Sequence, residues 1–489
     1  MLFNSVAFLI FFPIVTIIYF LLPHRFRWLW LLGASCYFYM AFVPVYILIL
    51  GGTIVIDYFA GIWIQNAQGQ RRRLFLVLSI ISNVGVLAAF KYFNFLNDNL
   101  SLLLHGAGYQ NPIPFLKILL PIGLSFHTFQ AMSYTIEVYR GNQPAEKHFG
   151  IYALYVMFYP QLVAGPIERP QNMLHQFHEK KTYDYDNLRR GICLIVWGLF
   201  KKVVIADRLA LFVDQVYDTP HSYHGLPLIV ATVFFAFQIY FDFSGYSDIA
   251  RGAARAMGFN LMINFNFPFT STSIGEFWRK WHISLSTWFN DYVFSPILIA
   301  KRNWGKRAVL FALFVTFFIS GLWHGAGWNF VIFGVLHGLA LIYETLTKRF
   351  RKSMSKAIPS IIYKNLSMLI VFAYACFAWI FFRAVTVRDS VYIIKNMFRG
   401  LGGQLLAVFR GDPLVDRVLY VNQGASIFLL SCALIVLVEL LQIAMRKRDM
   451  IDWLAGKNVM IRYTIYYTMV LGILALGVLS SNKFIYFQF

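Results

Sequence analysis

The feature that most constrains this chain is a succession of apolar runs close to the length that crosses a bilayer. Residues 74–93, 226–243 and 360–382 are clear examples. A transmembrane helix needs about 20 mostly apolar residues, whereas a transmembrane β-strand appears as about 10 residues of alternating polarity. Only 13% of the 489 residues are charged, against about 25% in soluble domains. The sequence therefore predicts an all-α polytopic membrane protein and excludes a single soluble domain.

Several apolar segments are broken, which indicates that they are not simple spans. Residues 152–164 end in Gly165 and Pro166, and residues 192–213 are interrupted by Lys201 and Lys202. Irregular backbone at membrane depth is tolerated only where it is buried in protein or lines a wet cavity. We therefore expect about 11–13 transmembrane helices, with re-entrant or interfacial helices between them, around a central funnel.

Basic residues cluster between the apolar segments and give the chain a net charge of +21. Lys and Arg accumulate in the cytoplasmic loops of membrane proteins, so this charge indicates topology. It does not indicate nucleic acid, because no basic module interleaved with aromatic residues is present. All clusters are cytoplasmic if the N-terminus lies outside. The residues before the first apolar run carry no basic side chain, so that run is predicted to be a retained span and not a signal peptide.

No internal repeat or long linker divides the chain, and we predict one integral-membrane domain over residues 1–489. By the predicted topology, residues 480–489 form an extracytoplasmic tail. The four cysteines lie apart in apolar runs without CxxC spacing, so no metal site and no disulfide framework is expected. We expect no bound cofactor.

His324 is the first candidate for chemistry. It follows the apolar residues 309–323 and sits among Gly321, Gly325 and Gly327. An ionisable side chain at membrane depth is costly and suggests a functional site, and a neutral imidazole can act as a base. The glycines allow the backbone to bend and another molecule to approach closely. A buried histidine with a purely structural hydrogen bond is the alternative interpretation.

His282 is the second candidate, within a stretch rich in tryptophan and basic residues. Helical periodicity places Trp278, Trp281, Leu285 and Trp288 on one stripe and His282 on the neighbouring one. Such composition is also typical of an interfacial anchor helix. His337 lies 13 residues after His324 and would face the opposite way on one helix, so we predict a structural role for it.

Several stretches together resemble the membrane-bound O-acyltransferase family, in particular its bacterial branch that O-acetylates polysaccharides and peptidoglycan. The resemblance covers residues 119–338, the predicted catalytic core region. It implies a bacterial inner-membrane enzyme with a ring of helices around a funnel, a catalytic histidine at His324 in the WHG motif, and a second functional position at His282. The matching stretches are LLPIGLSFHTFQAMSYTIEVYRG, QLVAGPIERP, FKKVVIADRLA, IYFDFSGYSDIARG, FPFTSTSIGEFWRKWHISLSTWFNDYVF and SGLWHGAGWNFVIFGVLHG.

The motif FIYFQF, residues 484–489, is similar to motifs of this branch in which a tyrosine is an acyl relay, here Tyr486. The resemblance implies a thioester donor, acetyl-CoA, and a polysaccharide acceptor outside. It also implies an outer partner, a Ser-His-Asp esterase-like transferase. Membrane lipid surrounds the chain. Candidate sites for the donor or substrate are Lys201, Lys202, Arg279, Lys280 and Asp242, although positive-inside bias explains the basic residues equally well.

Two other functions remain open from the sequence. The enzyme could acylate a lipid or small molecule directly inside the bilayer, which would require neither an outer partner nor Tyr486. The chain could instead be a transporter without acyl-transfer chemistry. Transporters often contain inverted repeats, and none is visible here.

Overall fold

The computed structural model describes residues 1–116, 121–413, 415–446, 448–478 and 484–485, and their regular structure is entirely helical. Within these residues, eight helices are long and apolar enough to cross a membrane, and Val6–Leu21 is a shorter apolar helix. The predicted all-α polytopic class is confirmed. Of the 11–13 transmembrane helices expected, eight meet this length and composition within the described residues, and some other apolar segments form short or broken helices. The eight are Tyr46–Asn66, Gly69–Gly106, Leu226–Ala256, Lys306–His324, Trp328–Leu346, Ser360–Arg383, Ala425–Ala444 and Val459–Leu476.

One compact unit comprises Met1–Ile195 with Ser247–Ile263. Its helices are α1 (Val6–Leu21), α2 (His24–Met40), α3 (Tyr46–Asn66), α4 (Gly69–Leu87), α5 (Phe93–Gly106), α6 (Leu124–Arg140), α7 (Phe149–Met157), α8 (Tyr159–Leu162), α9 (Pro170–His178) and the start of α10 (Tyr185–Leu199).

A buried carboxylate joins three helices of this unit. Asp57 of α3 is fully buried and accepts a hydrogen bond of 2.6 Å from the Ser79 hydroxyl of α4. The Asn83 amide donates to both of its oxygens, at 3.0 and 2.8 Å. The Ser79 hydroxyl also lies 3.0 Å from the Thr135 hydroxyl of α6. The acid therefore has the hydrogen-bond partners that a buried polar group needs, and its role here is to hold α3, α4 and α6 together.

The predicted interruptions are present in the chain. Residues 152–164 contain the end of α7 and the four-residue α8, which starts with Pro160 in its first turn. Residues 192–213 form the end of α10, a π-helix at Phe200–Ala206, and α11 (Asp207–Tyr217). Lys201 and Lys202 lie in this π-helix, an irregularity that is frequent at functional sites.

The second unit comprises Val196–Tyr246 with Asn264–Gln488. After α11 its helices are α12 (Leu226–Ala256, up to Tyr246), α13 (Ile274–Lys280), α14 (Ile283–Phe289), α15 (Ser295–Ala300), α16 (Lys306–His324), α17 (Trp328–Leu346), α18 (Lys348–Ala357), α19 (Ser360–Arg383), α20 (Val387–Asn396), α21 (Leu401–Arg410), α22 (Val415–Val418), α23 (Ala425–Ala444), α24 (Met450–Ala455) and α25 (Val459–Leu476).

Candidate active site

His324 is the last residue of α16, and its side chain is buried, with 6% of the residue exposed. Aromatic rings surround the imidazole edge to face. The ring centroids of Trp323, Phe382 and Phe333 lie 5.0, 5.3 and 5.7 Å from that of His324. These contacts come from α16, α17 and α19, so three helices fix the orientation of the ring.

The helix that carries His324 crosses α17 at very short range. A Cβ atom at Gly321 would clash with the carbonyl oxygen of Phe330 and lie 2.9 Å from the Cα of Gly334. The space beside Gly325 is filled by the Phe330 ring. The close approach predicted at these glycines is therefore made by α17 of the same chain. This packing of α17 against the end of α16 positions His324.

Gly321→Ala should accordingly destabilise the protein, by about 1–3 kcal/mol, because the new methyl group forces two backbones apart. Gly327→Ala is the matched control, since its Cβ would meet only the Phe330 ring at 3.7 Å and its φ of −169° is extended backbone that any residue adopts. Thermal unfolding in detergent should show a lower midpoint temperature for Gly321→Ala than for wild type, and an unchanged one for Gly327→Ala. Equal midpoints would show that the α16–α17 contact is not tight.

His282 lies between two helices, and the continuous helix predicted through Trp278 and Trp288 is wrong. Helix α13 ends at Lys280, Trp281 is extended, and α14 begins at Ile283. His282 itself has φ 44° and ψ 56°, a left-handed conformation that is uncommon outside glycine. Such strain at a buried residue is kept where the surroundings over-determine it and is a feature of functional sites.

Asn264 explains why the helix breaks here. Its backbone oxygen accepts the N–H of Ile283 at 2.9 Å, and its side-chain oxygen accepts the N–H of Ser284 at 3.2 Å. On the other side of the break, the N–H of Asn266 donates to the carbonyl of Lys280 at 3.0 Å. These bonds satisfy the start of α14 from a distant segment, which periodicity alone does not reveal.

The two candidate histidines meet the same tryptophan. His282 is completely buried, and the centroid of its ring lies 4.6 Å from that of Phe243 and 6.3 Å from that of Trp323. Trp323 in turn lies 5.0 Å from His324. The structure thus brings His282 and His324 onto one indole, although 42 residues separate them in the sequence. Trp323 and Phe243 were missed by sequence reasoning, and the only signal for Trp323 was its place beside His324.

Burial lowers the pKa of His282 to about 3. The imidazole is therefore neutral at physiological pH and has one N–H donor and one acceptor nitrogen.

A pH profile tests this assignment. His282→Gln should change the rate of acyl transfer but leave the midpoint of the acid limb between pH 5 and 8 in place, because His282 is neutral over that whole range. Initial rates at each pH, for wild type and variant, provide the comparison. A midpoint that moves with the substitution would mean that His282 titrates in the native site.

The predicted donor-binding residues divide into two groups. Lys201 and Lys202 are buried, Lys201 donates to the Ser244 hydroxyl at 3.0 Å, and Lys202 lies between Asp242 and Asp207. An ammonium shared by two buried carboxylates is poorly placed for phosphates, so the geometry does not support phosphate binding at Lys202. Asp207 was missed, although it stands only five residues after Lys202.

The other two basic residues lie nearer the surface. Lys280 pairs with Glu276 at 2.6 Å, and Arg279 is exposed and has no ion pair within the part of the chain that the structure describes. His337, assigned a structural role from the sequence, accepts a hydrogen bond of 3.2 Å from the indole of Trp278.

The C-terminal motif reaches the same region. Phe484 lies 5.6 Å from Phe243, the residue that contacts His282, and Ile485 is buried with its N–H bonded to Asp242. Tyr486, the predicted relay, lies outside the described residues, as does most of the predicted tail 480–489.

Comparison with known proteins identifies the family of this chain. The profile of the membrane-bound O-acyltransferase family matches residues 144–385, which include both histidines. The chain is 32% identical to the peptidoglycan O-acetyltransferase of Helicobacter pylori, over 100% of this chain and 98% of the relative. It is 38% identical to the probable alginate O-acetylase AlgI of Pseudomonas aeruginosa, over 81% and 75%. Identity to the teichoic acid D-alanyltransferase of Streptococcus thermophilus is 29%, over 48% and 59%.

These relatives transfer acyl groups, the similarity to the first of them covers both chains almost completely, and the described residues contain eight helices able to span a bilayer. The chain is a multi-pass membrane O-acyltransferase and belongs to the membrane-bound O-acyltransferase family.

Proposed function

We propose that this enzyme moves an acetyl group from cytoplasmic acetyl-CoA across the bacterial inner membrane, for O-acetylation of a cell-envelope polysaccharide. The observation that carries the proposal is the placement of His282 and His324, both buried, on the single indole of Trp323. The names of two relatives, a peptidoglycan O-acetyltransferase and a probable alginate O-acetylase, support acetyl as the group and a polysaccharide as the acceptor.

His324 is the general base of the reaction. Its imidazole takes the proton of the acceptor hydroxyl as the oxygen attacks the thioester carbonyl. The carbon–sulfur bond then breaks, the ester remains on the acceptor, and coenzyme A leaves as the thiol with a proton returned from His324. Proton transfer by a positioned side chain typically contributes about 10²–10⁴-fold.

His282 stabilises the oxygen that becomes negative during this attack. A neutral imidazole keeps one N–H, and its burial beside Phe243 gives that hydrogen bond a low-dielectric setting. The left-handed backbone of His282, fixed through Asn264, holds the donor before substrate arrives, so that no reorganisation is required in the transition state.

Tyr486 is the first acceptor in this scheme. A phenol has a pKa of about 10, close to that of a thiol, so its ester keeps much of the transfer potential of the thioester. An outer partner with a Ser-His-Asp triad would then move the acetyl group to the polysaccharide. The position of Phe484 and Ile485 against α12, next to the contact of His282, supports this role for the neighbouring residue in the sequence.

Arg279 is the best-placed of the predicted residues for the donor phosphates, since it is exposed and has no ion pair among the described residues. Lys280 lies beside it and is partly neutralised by Glu276. Charge-assisted contacts of this kind bind phosphate oxygens.

The experiment that tests the function follows the label from the donor. Membranes that contain the enzyme and its acceptor are incubated with radiolabelled acetyl-CoA, and polymer hydrolysates and lipid extracts are counted separately. We expect label in the polymer fraction. Label in lipid alone would establish the alternative, direct acylation of a lipid. Release of no coenzyme A by folded enzyme would reject acetyl-CoA as the donor.

A further inference from the structure

The C-terminal motif is attached to the enzyme by a buried hydrogen bond. The backbone N–H of Ile485 donates to Oδ2 of Asp242 on α12, at 2.7 Å. Ile485 and Asp242 are each only 2% exposed. A carboxylate that accepts a backbone N–H in a dry setting makes one of the stronger hydrogen bonds in proteins, because the acceptor is charged.

An aromatic contact one residue earlier completes the attachment. The ring of Phe484 lies 4.6 Å from Tyr246 and 5.6 Å from Phe243. Asp242, Phe243 and Tyr246 stand at positions i, i+1 and i+4 of α12, so they share one side of the helix. This side of α12 therefore contacts two consecutive residues of the motif through one polar and two aromatic interactions.

Lys202 pairs with the other oxygen of Asp242. Its ammonium lies 2.5 Å from Oδ1 of Asp242 and 2.8 Å from Asp207, and the side chains of Lys202, Asp242 and Asp207 are 8, 3 and 2% exposed. A buried carboxylate without such a partner would carry a large desolvation penalty. One oxygen of Asp242 is thus neutralised by Lys202, while the other remains directed at the motif.

We propose that Asp242 is a positioning residue that docks the segment containing Phe484 and Ile485 beside the contact of His282, and that the contact with Lys202 fixes the Asp242 side chain for this purpose. The inference rests on the proposed function, in which Tyr486 is the first acyl acceptor. Ile485 directly precedes Tyr486 in the sequence, so docking of Ile485 would position the acceptor. Asp242 itself forms and breaks no bond to the acyl group.

Docking of the motif can be measured as the rate at which maleimide labels a cysteine placed at position 485. In full-length protein whose four native cysteines are replaced, Ile485→Cys keeps the backbone N–H and introduces a side chain at a position that is 2% exposed. Adding Asp242→Ala should increase the rate of maleimide labelling by about 10- to 100-fold, the effect of losing a hydrogen bond to a charged group. Asp248→Ala, which removes another acid of α12, is the control and should leave the rate unchanged.

The donor side of the same bond can be removed without touching Lys202. Ile485→Pro lacks the N–H, whereas Ile485→Val keeps it. The proline variant should reduce acetyl labelling of the protein by about 10- to 100-fold, and the valine variant should not. Asp242→Asn retains an oxygen that accepts the N–H. Its acetyl labelling should therefore lie between that of wild type and that of Asp242→Ala, a graded result that a general loss of folding would not produce.

A small phenol, N-acetyltyrosinamide, separates positioning from chemistry. Supplied in solution, it replaces the docked acceptor, so Ile485→Pro should still acetylate it at the wild-type rate. Equal maleimide rates in wild type and Asp242→Ala, or loss of phenol acetylation together with self-labelling, would overturn the positioning role. Phenol acetylation by a wild-type protein that is itself never labelled would instead reject the Tyr486 relay, and docking would then be judged by the maleimide rate alone.

Discussion

Replacing His324 with asparagine should lower acyl transfer by about 10²–10⁴-fold, the usual contribution of a general base. Asparagine has no basic nitrogen, so it cannot accept the proton of the attacking hydroxyl. It remains small enough for the aromatic enclosure formed by Trp323, Phe333 and Phe382. The release of coenzyme A from acetyl-CoA, in the presence of N-acetyltyrosinamide, measures this step without any requirement for the polymer.

His337→Asn is the matched control for this variant. His337 is also a buried histidine of the α16–α17 hairpin, and its Nδ1 accepts the Trp278 N–H at 3.2 Å, a bond that the asparagine oxygen can replace. We expect its rate to stay close to that of wild type. If the two asparagine variants lose activity equally while both remain folded, the effect is on packing and His324 is not the base.

Tyr486→Phe should abolish acetylation of the polymer while acetyl transfer to an added phenol continues. Only the hydroxyl is removed, so the aromatic ring is kept and no ester can form at this position. Polymer-bound acetate, released by mild base and quantified in cells that carry each variant, provides the measurement.

Tyr467→Phe supplies the comparison, since Tyr467 lies on α25 and is 64% exposed. It should leave polymer acetylation intact. Acetylated polymer in the Tyr486→Phe strain would mean that the acyl group reaches the acceptor without a tyrosine ester, and the outer partner would then have to take it by another path.

The membrane environment of this protein could be predicted from the sequence alone, because an apolar run of about 20 residues is a local property of the sequence. Thus α12, α16 and α19 lie close to the predicted residues 226–243, 309–323 and 360–382. The end of the apolar run at Gly165 and Pro166 and the interruption at Lys201 and Lys202 were also predictable, since proline and paired charges oppose a regular apolar helix wherever they occur. His324 and His282 could be selected as candidates from their settings and from the family resemblance.

Tertiary structure alone decided how these residues meet. The break before His282 is fixed by Asn264, and the periodicity of Trp278 and Trp288 indicated a continuous helix instead. The partners of Lys202 include Asp242, which in turn accepts the N–H of a residue 243 positions further along the chain. Contacts of this kind depend on how distant segments pack, whereas a sequence pattern reports only the neighbours of each residue. Local chemistry therefore indicated the membrane class and the candidate histidines. Long-range packing determined that the two histidines share Trp323 and that the C-terminal motif contacts Phe243, the neighbour of His282.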